Sequence, residues 1–67
     1  MISEGYEAIN GHIFTASEAA LYNRQCAFTS EAKEAARLNP SSVECRKSLE
    51  TRLNLQADLF KQITGMK

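Results

Sequence analysis

Three side chains in this 67-residue chain could act as nucleophile, base or soft metal ligand: His12, Cys26 and Cys45. A cysteine becomes a nucleophile when an imidazole or a cationic pocket draws off its proton. His12 sits beside Gly11 in a segment ahead of any long helical pattern, and reads as a solvated loop residue rather than a base. With the chain folded back at Pro40, the two cysteines stand about ten residues out of register, roughly 15 Å apart along a helix axis, which is beyond disulfide reach. Two cysteines are too few for a disulfide scaffold, and no Cys/His group has zinc spacing. No Gly-rich phosphate loop and no pair of carboxylates sharing a pocket can be built. The expectation is a chain with no enzymatic activity, no metal, no cofactor and no small-molecule substrate. Its cysteines then serve as small apolar residues, buried or half-buried.

The helices that would carry these residues have clear ends. Thr15 and Glu18 form a capping box, with Phe14 ahead of them at the staple position. Glu31 to Arg37 is rich in helix formers, and Pro40 forces Asn39 out of helical geometry, so the first helix is predicted over 15–38. Ser41 and Glu44 make a second capping box, Lys61 sits near the negative end of the helix dipole, and Gly65 supplies a stop. The second helix is predicted over 41–64. The connection is too short for anything but an antiparallel neighbour. In residues 1–13, Ile2, Tyr6 and Ile9 have helical spacing, Gly5 weakens a helix there, and Asn10-Gly11 would close one. That segment is read as a short helix or an ordered arm packed on the hairpin. The fold class is therefore all-α: a single domain, an antiparallel two-helix hairpin with a short N-terminal helix or arm, completed by a partner chain.

The two halves mirror each other about Pro40. Leu21 falls opposite Phe60, Phe28 opposite Leu53, Ala32 opposite Leu49, and Gln25 opposite Gln56. Apolar falls on apolar, as in an antiparallel seam with a and d positions facing. The predicted hairpin core is Leu21, Gln25, Phe28 and Ala32, with Phe14 and Ala35, against Leu49, Leu53, Gln56, Phe60 and Ile63. The two glutamines either bond across the seam and hold register or reach to the edge of a thin core. Leu55, Leu59 and Met66 lie on the other flank of a wide apolar arc, without partners in this register. Arg52 falls inside the same arc, where it meets an acid on a partner or lies along the surface with its stem covered. Ala16, Ala20, Ala27 and Leu38 form a second strip of mostly small residues that would let another helix come close. The candidate partner-binding set is thus Leu55, Leu59, Met66, Arg52, Leu38, Ala20 and Ala27. Its occupant is a helical protein, a second copy, or the chain's own arm through Ile2, Tyr6, Ile9 and Ile13.

Charge narrows the partner class. Eight basic and eight acidic residues give a formal net charge of zero. Nucleic-acid binding needs a basic surface or stripe, whereas the outer positions of the first helix mix Glu18, Glu31 and Glu34 with Arg24, Lys33 and Arg37. No apolar run reaches membrane-spanning length, and no basic region precedes an apolar core at the N-terminus. A cytoplasmic location is expected, with export by a route that ignores such signals left open. A domain of this size lies near the lower limit for folding unaided, which also points to a partner.

From Pro40-Ser41-Ser42 to Gly65 the chain resembles the second helix of small helical-hairpin proteins from bacterial type III secretion systems. The shared features are a Leu-Glu step, Leu49-Glu50, followed by Leu53, Phe60 and Ile63 at helical spacing. One branch of those proteins is the co-chaperone that holds the needle subunit unpolymerised in the cytosol together with a repeat-protein partner. The other is the needle subunit itself, a helix, a Pro-containing turn like Asn39-Pro40-Ser41, and a second helix. Needle subunits carry their polymerising determinants at the extreme C-terminus, where this chain has Gly65-Met66-Lys67. The resemblance implies an adaptor or co-chaperone docking a larger helical partner, with a self-assembling bundle or filament subunit as the alternative.

Overall fold

A computed structural model describes residues 1–66. Helix α1 spans Ala16–Leu38 and helix α2 spans Val43–Thr64, and the two pack antiparallel against each other. Thr15 caps α1: its hydroxyl accepts from the Glu18 amide at 3.1 Å, and the Glu18 carboxylate accepts from the Thr15 amide at 3.0 Å. The capping box foreseen for α2 from Ser41 and Glu44 does not form, because the cap lies one residue later, where the residue three positions on is Cys45. Pro40 occupies the second position of a turn closed by the Ser42 amide donating to the Asn39 carbonyl at 3.0 Å. Ser41 is thereby held inside the turn, and Ser42 becomes the cap, accepting from the Cys45 amide at 3.3 Å. Gly65, with φ of +75°, ends α2 in the left-handed conformation that glycine tolerates.

Residues 1–14 form an ordered arm, and no part of it is helical. Asn10-Gly11 closes a β-hairpin turn rather than a helix. The Gly11 amide donates to the Ala8 carbonyl and the Ala8 amide to the His12 carbonyl, both at 2.9 Å. Gly11 has φ of +88°, as a three-residue hairpin loop requires at its third position. Phe14 then pairs with the start of the arm, donating to the Tyr6 carbonyl and accepting from the Gly5 amide, each at 2.9 Å.

The hairpin keeps the expected longitudinal register but is rotated about the helix axes. Arg52 reaches the Phe28 carbonyl, and Thr29 Oγ1 lies 3.4 Å from the Arg52 carbonyl, so positions near 28 still face positions near 53. The residues turned inward on α1, however, are small or polar: Ala19, Thr29 and Ala32 are buried, and Tyr22 is half-buried. Leu21 and Phe28 are each 47% exposed and Leu53 is 48% exposed, so these three expected core residues stand on the rim. Small faces let the helices approach closely, which expels the bulky side chains to either side. Leu49, Gln56, Phe60 and Ile63 remain half-buried in the seam.

The best-buried large side chain is Phe14, 1% exposed. Its ring packs on Tyr6, His12, Tyr22 and Phe60 with centroids 5.4–6.3 Å apart. Tyr22 and Phe60 also meet edge to face at 5.5 Å. This aromatic plug closes the open end of the hairpin. The Cα radius of gyration is 13.5 Å, against about 11 Å for a compact chain of this length. The hairpin is elongated, and much of its apolar surface has no intramolecular cover.

Candidate functional site

Which face stays open follows from where the arm lies. The Asn23 side chain brackets Ile2, with the amide of Ile2 donating to Oδ1 at 2.7 Å and Nδ2 donating to the Ile2 carbonyl at 2.6 Å. Asn10 Nδ2 donates to the Thr64 carbonyl at 2.8 Å, tying the arm to the end of α2. With Phe14 on Tyr22 and Phe60, these bonds place the arm on the Asn23 side of the hairpin. At 100° per residue, Leu21 and Phe28 lie on the opposite side of α1 from Asn23. The arm therefore leaves Leu55 exposed and Leu59 half-buried on the far flank, and its own Ile9 and Ile13 are exposed.

The open face has two parts. A groove of about 420 Å³ is lined by Leu21, Arg24, Gln25, Ala27, Phe28 and Leu59 together with Glu31. Leu55, one turn before Leu59 on the same flank, is 49% exposed. Toward the turn lies a smaller hollow of about 230 Å³, lined by Ala32, Ala35, Cys45 and Ser48 together with Glu31, Glu44 and Arg52. Bulky apolar residues thus fill one end of the face and small ones the other.

Arg52 sits between the two parts and is committed to the hairpin. Its guanidinium lies 3.8 Å from the centre of the Phe28 ring, and Nη1 donates to the Phe28 carbonyl at 2.9 Å. Both groups hold one another at the surface, a cation–π pair with a charge-assisted hydrogen bond. Gln25 and Gln56 do not bond across the seam. Gln56 Nε2 donates instead to the Tyr22 hydroxyl at 3.3 Å, while Gln25 Nε2 is buried with no partner among the described residues. Burial pushes the Tyr22 phenol up from its ordinary value, with the bond from Gln56 opposing.

The remaining sequence-derived partner residues scatter. Met66 lines a groove of about 520 Å³ on the arm side with Tyr22, Leu53, Ala57 and Phe60, because Gly65 breaks the helical period before it. Ala27 edges the open face. Ala20 and Leu38 lie on the outer surface of α1, roughly opposite α2, and join neither part. The hallmark that sequence reasoning missed is the hollow, whose lining needs the close approach of Ala32 and Ala35 to Cys45 and Ser48.

The chemistry-bearing residues do not converge. Cys26 and Cys45 are free thiols, both half-buried. His12 Nε2 lies 3.0 Å from Glu18 Oε1, at the α1 cap and away from either thiol. The Thr15 backbone amide, then His12, hold the Glu18 carboxyl below the usual range. Among the described residues no group of three His, Cys, Asp or Glu side chains could hold a metal ion, and no helix is long and apolar enough to cross a membrane. No family model, curated protein or solved structure matches this chain.

Proposed function

We propose that this protein is an interaction module whose docking surface is the open face built by Leu21, Phe28, Leu55 and Leu59. The supporting observation is the arm's choice of side. It caps the Asn23 face and the aromatic end, and the opposite flank keeps large apolar groups about half exposed. A surface of this kind suits an amphipathic helix laid along the groove. Rim charges of both signs, Arg24 and Glu31, suit a protein partner rather than phosphate.

The adaptor reading inferred from the residues is one form of this activity: a co-chaperone that covers the apolar helix of a needle-type subunit and so keeps it unpolymerised. Its support is the resemblance from Pro40 to Gly65. Self-assembly is the second reading, favoured by large residues at one end of the face and small ones at the other.

The test is Leu55→Asp. Leu55 is half exposed, so a carboxylate there keeps its hydration and the isolated chain keeps its helical circular dichroism. Association should be lost, measured as copurification from the native host followed by cross-linking mass spectrometry, and as sedimentation of the pure chain. Association unchanged by Leu55→Asp, in both assays, would place the docking surface elsewhere.

A further inference from the structure

We infer that the occupant of the open face is a second copy of this chain, laid antiparallel on the first about a two-fold axis passing near Phe28. The inference rests on the docking face proposed above and names its partner. Leu21, Phe28 and Ala35 follow one another at heptad spacing along α1, large at one end and small at the other. Rotation about Phe28 carries Leu21 of one copy onto Ala35 of the other, and the reverse. Leu21 belongs to the bulky groove it shares with Leu59, and Ala35 forms part of the lining of the hollow. A large side chain of each copy thus meets a small one on its mate, the size pairing that a closed two-fold interface requires at each contact.

Charge obeys the same rotation. Arg24 borders the bulky groove, Glu31 and Glu44 border the hollow, and none of the three has an ion-pair partner among the described residues. The rotation brings Arg24 beside Glu31 of the second copy.

The area agrees. The chain exposes 4903 Å², whereas a compact monomer of this mass exposes about 4,250 Å². The excess, about 650 Å², approaches the roughly 800 Å² that each partner contributes to a standard interface.

Sedimentation equilibrium from micromolar to millimolar concentration, on the full chain and three variants, decides the matter. The wild type should pass from the mass of one chain to twice that mass. Leu21→Ala leaves alanine facing alanine and Ala35→Leu sets leucine against leucine, so each should weaken the dimer at least tenfold. The double variant L21A/A35L restores one large group against one small group at both contacts, and its dissociation constant should return to within a few-fold of wild type. Circular dichroism confirms that each variant is helical. A wild type monomeric at millimolar concentration, a dimer that ignores both single changes, or a double variant as weak as the two losses combined would each overturn the second copy as occupant. If the chain is monomeric yet captures a different protein in a Leu55-dependent manner, the docking face stands and only the occupant is wrong. If neither association occurs, both readings fall.

Discussion

Truncating Phe14 tests where the stability of this chain resides. Phe14→Ala removes a ring that is 1% exposed and touches four other rings. A buried Phe→Ala change costs about 3–5 kcal/mol, the transfer of the ring plus the cavity left behind. A domain of this length has roughly 3–10 kcal/mol in all, at about 0.05–0.15 kcal/mol per residue. The variant should therefore lose most of its cooperative transition. Phe28→Ala is the necessary comparison, because the seam read from spacing alone ranks Phe28 as core. Phe28 is 47% exposed and gives up about half of a buried ring's transfer energy, roughly 1 kcal/mol. Loss of the Arg52 guanidinium's ring contact adds about 0.5–1 kcal/mol more.

Urea titration followed by far-ultraviolet circular dichroism gives both numbers. It should be run at the lowest workable concentration so that any association does not add to them. The ratio matters more than either value: Phe14→Ala should cost about twice what Phe28→Ala costs. Equal losses, or a larger loss at Phe28, would mean that the aromatic plug is not the core. The rotated seam described above would then be wrong and the spacing-derived one right.

Two further changes probe polar groups. Gln25→Met replaces a buried amide nitrogen that lacks a partner with an apolar group of similar length; relief of that desolvation should stabilise the monomer by roughly 1 kcal/mol in the same titration, and a destabilised variant would show that the amide is satisfied. Glu18 has a folded-state carboxyl below its ordinary range, held there by the Thr15 amide and then by His12. Its contribution is thus present above the unfolded value of about 4.3 and fades as the pH falls through the lower folded one. Glu18→Gln should flatten that part of the acid-unfolding curve below about pH 4.3, and an unchanged acid limb would remove the linkage.

Much of this architecture is legible in the residues because helix ends are local. Thr15 with Glu18, Pro40 after Asn39, and Gly65 each act within a few residues of themselves, and the structure places α1 and α2 within two residues of the bounds they imply. The one slip at a cap, Ser42 for Ser41, arose because Pro40 sets a turn before it permits a helix. Rotation of the seam was not legible. Spacing rewards large apolar residues, and Leu21, Phe28 and Leu53 carry that signal most strongly. The hairpin instead closed on Ala19, Thr29 and Ala32, whose advantage is distance of approach, a property of both helices together. The arm was misjudged for a related reason. Asn10-Gly11 between Ala8 and His12 is a hairpin signal in its own right, but helical spacing of Ile2, Tyr6 and Ile9 competes with it.

That rotation connects the fold to the proposed activity. Had the large residues filled the seam, the hairpin would be better packed alone and would offer little to a partner. By closing on small residues, the two helices settle for a thin core and leave Leu21, Phe28 and Leu55 on the open side. Stability is recovered at one end, where the arm packs Phe14 against Tyr22 and Phe60. Toward the turn, the surface lined by Ala32, Ala35, Cys45 and Ser48 stays concave. The arm reaches only the first of these ends, since Asn10 fastens it to Thr64 and Asn23 fastens it to Ile2. The division between a self-sufficient plug and an unfinished face is therefore set by arm length and its two asparagine tethers. Cutting the Asn23 tether should loosen the plug without altering the face.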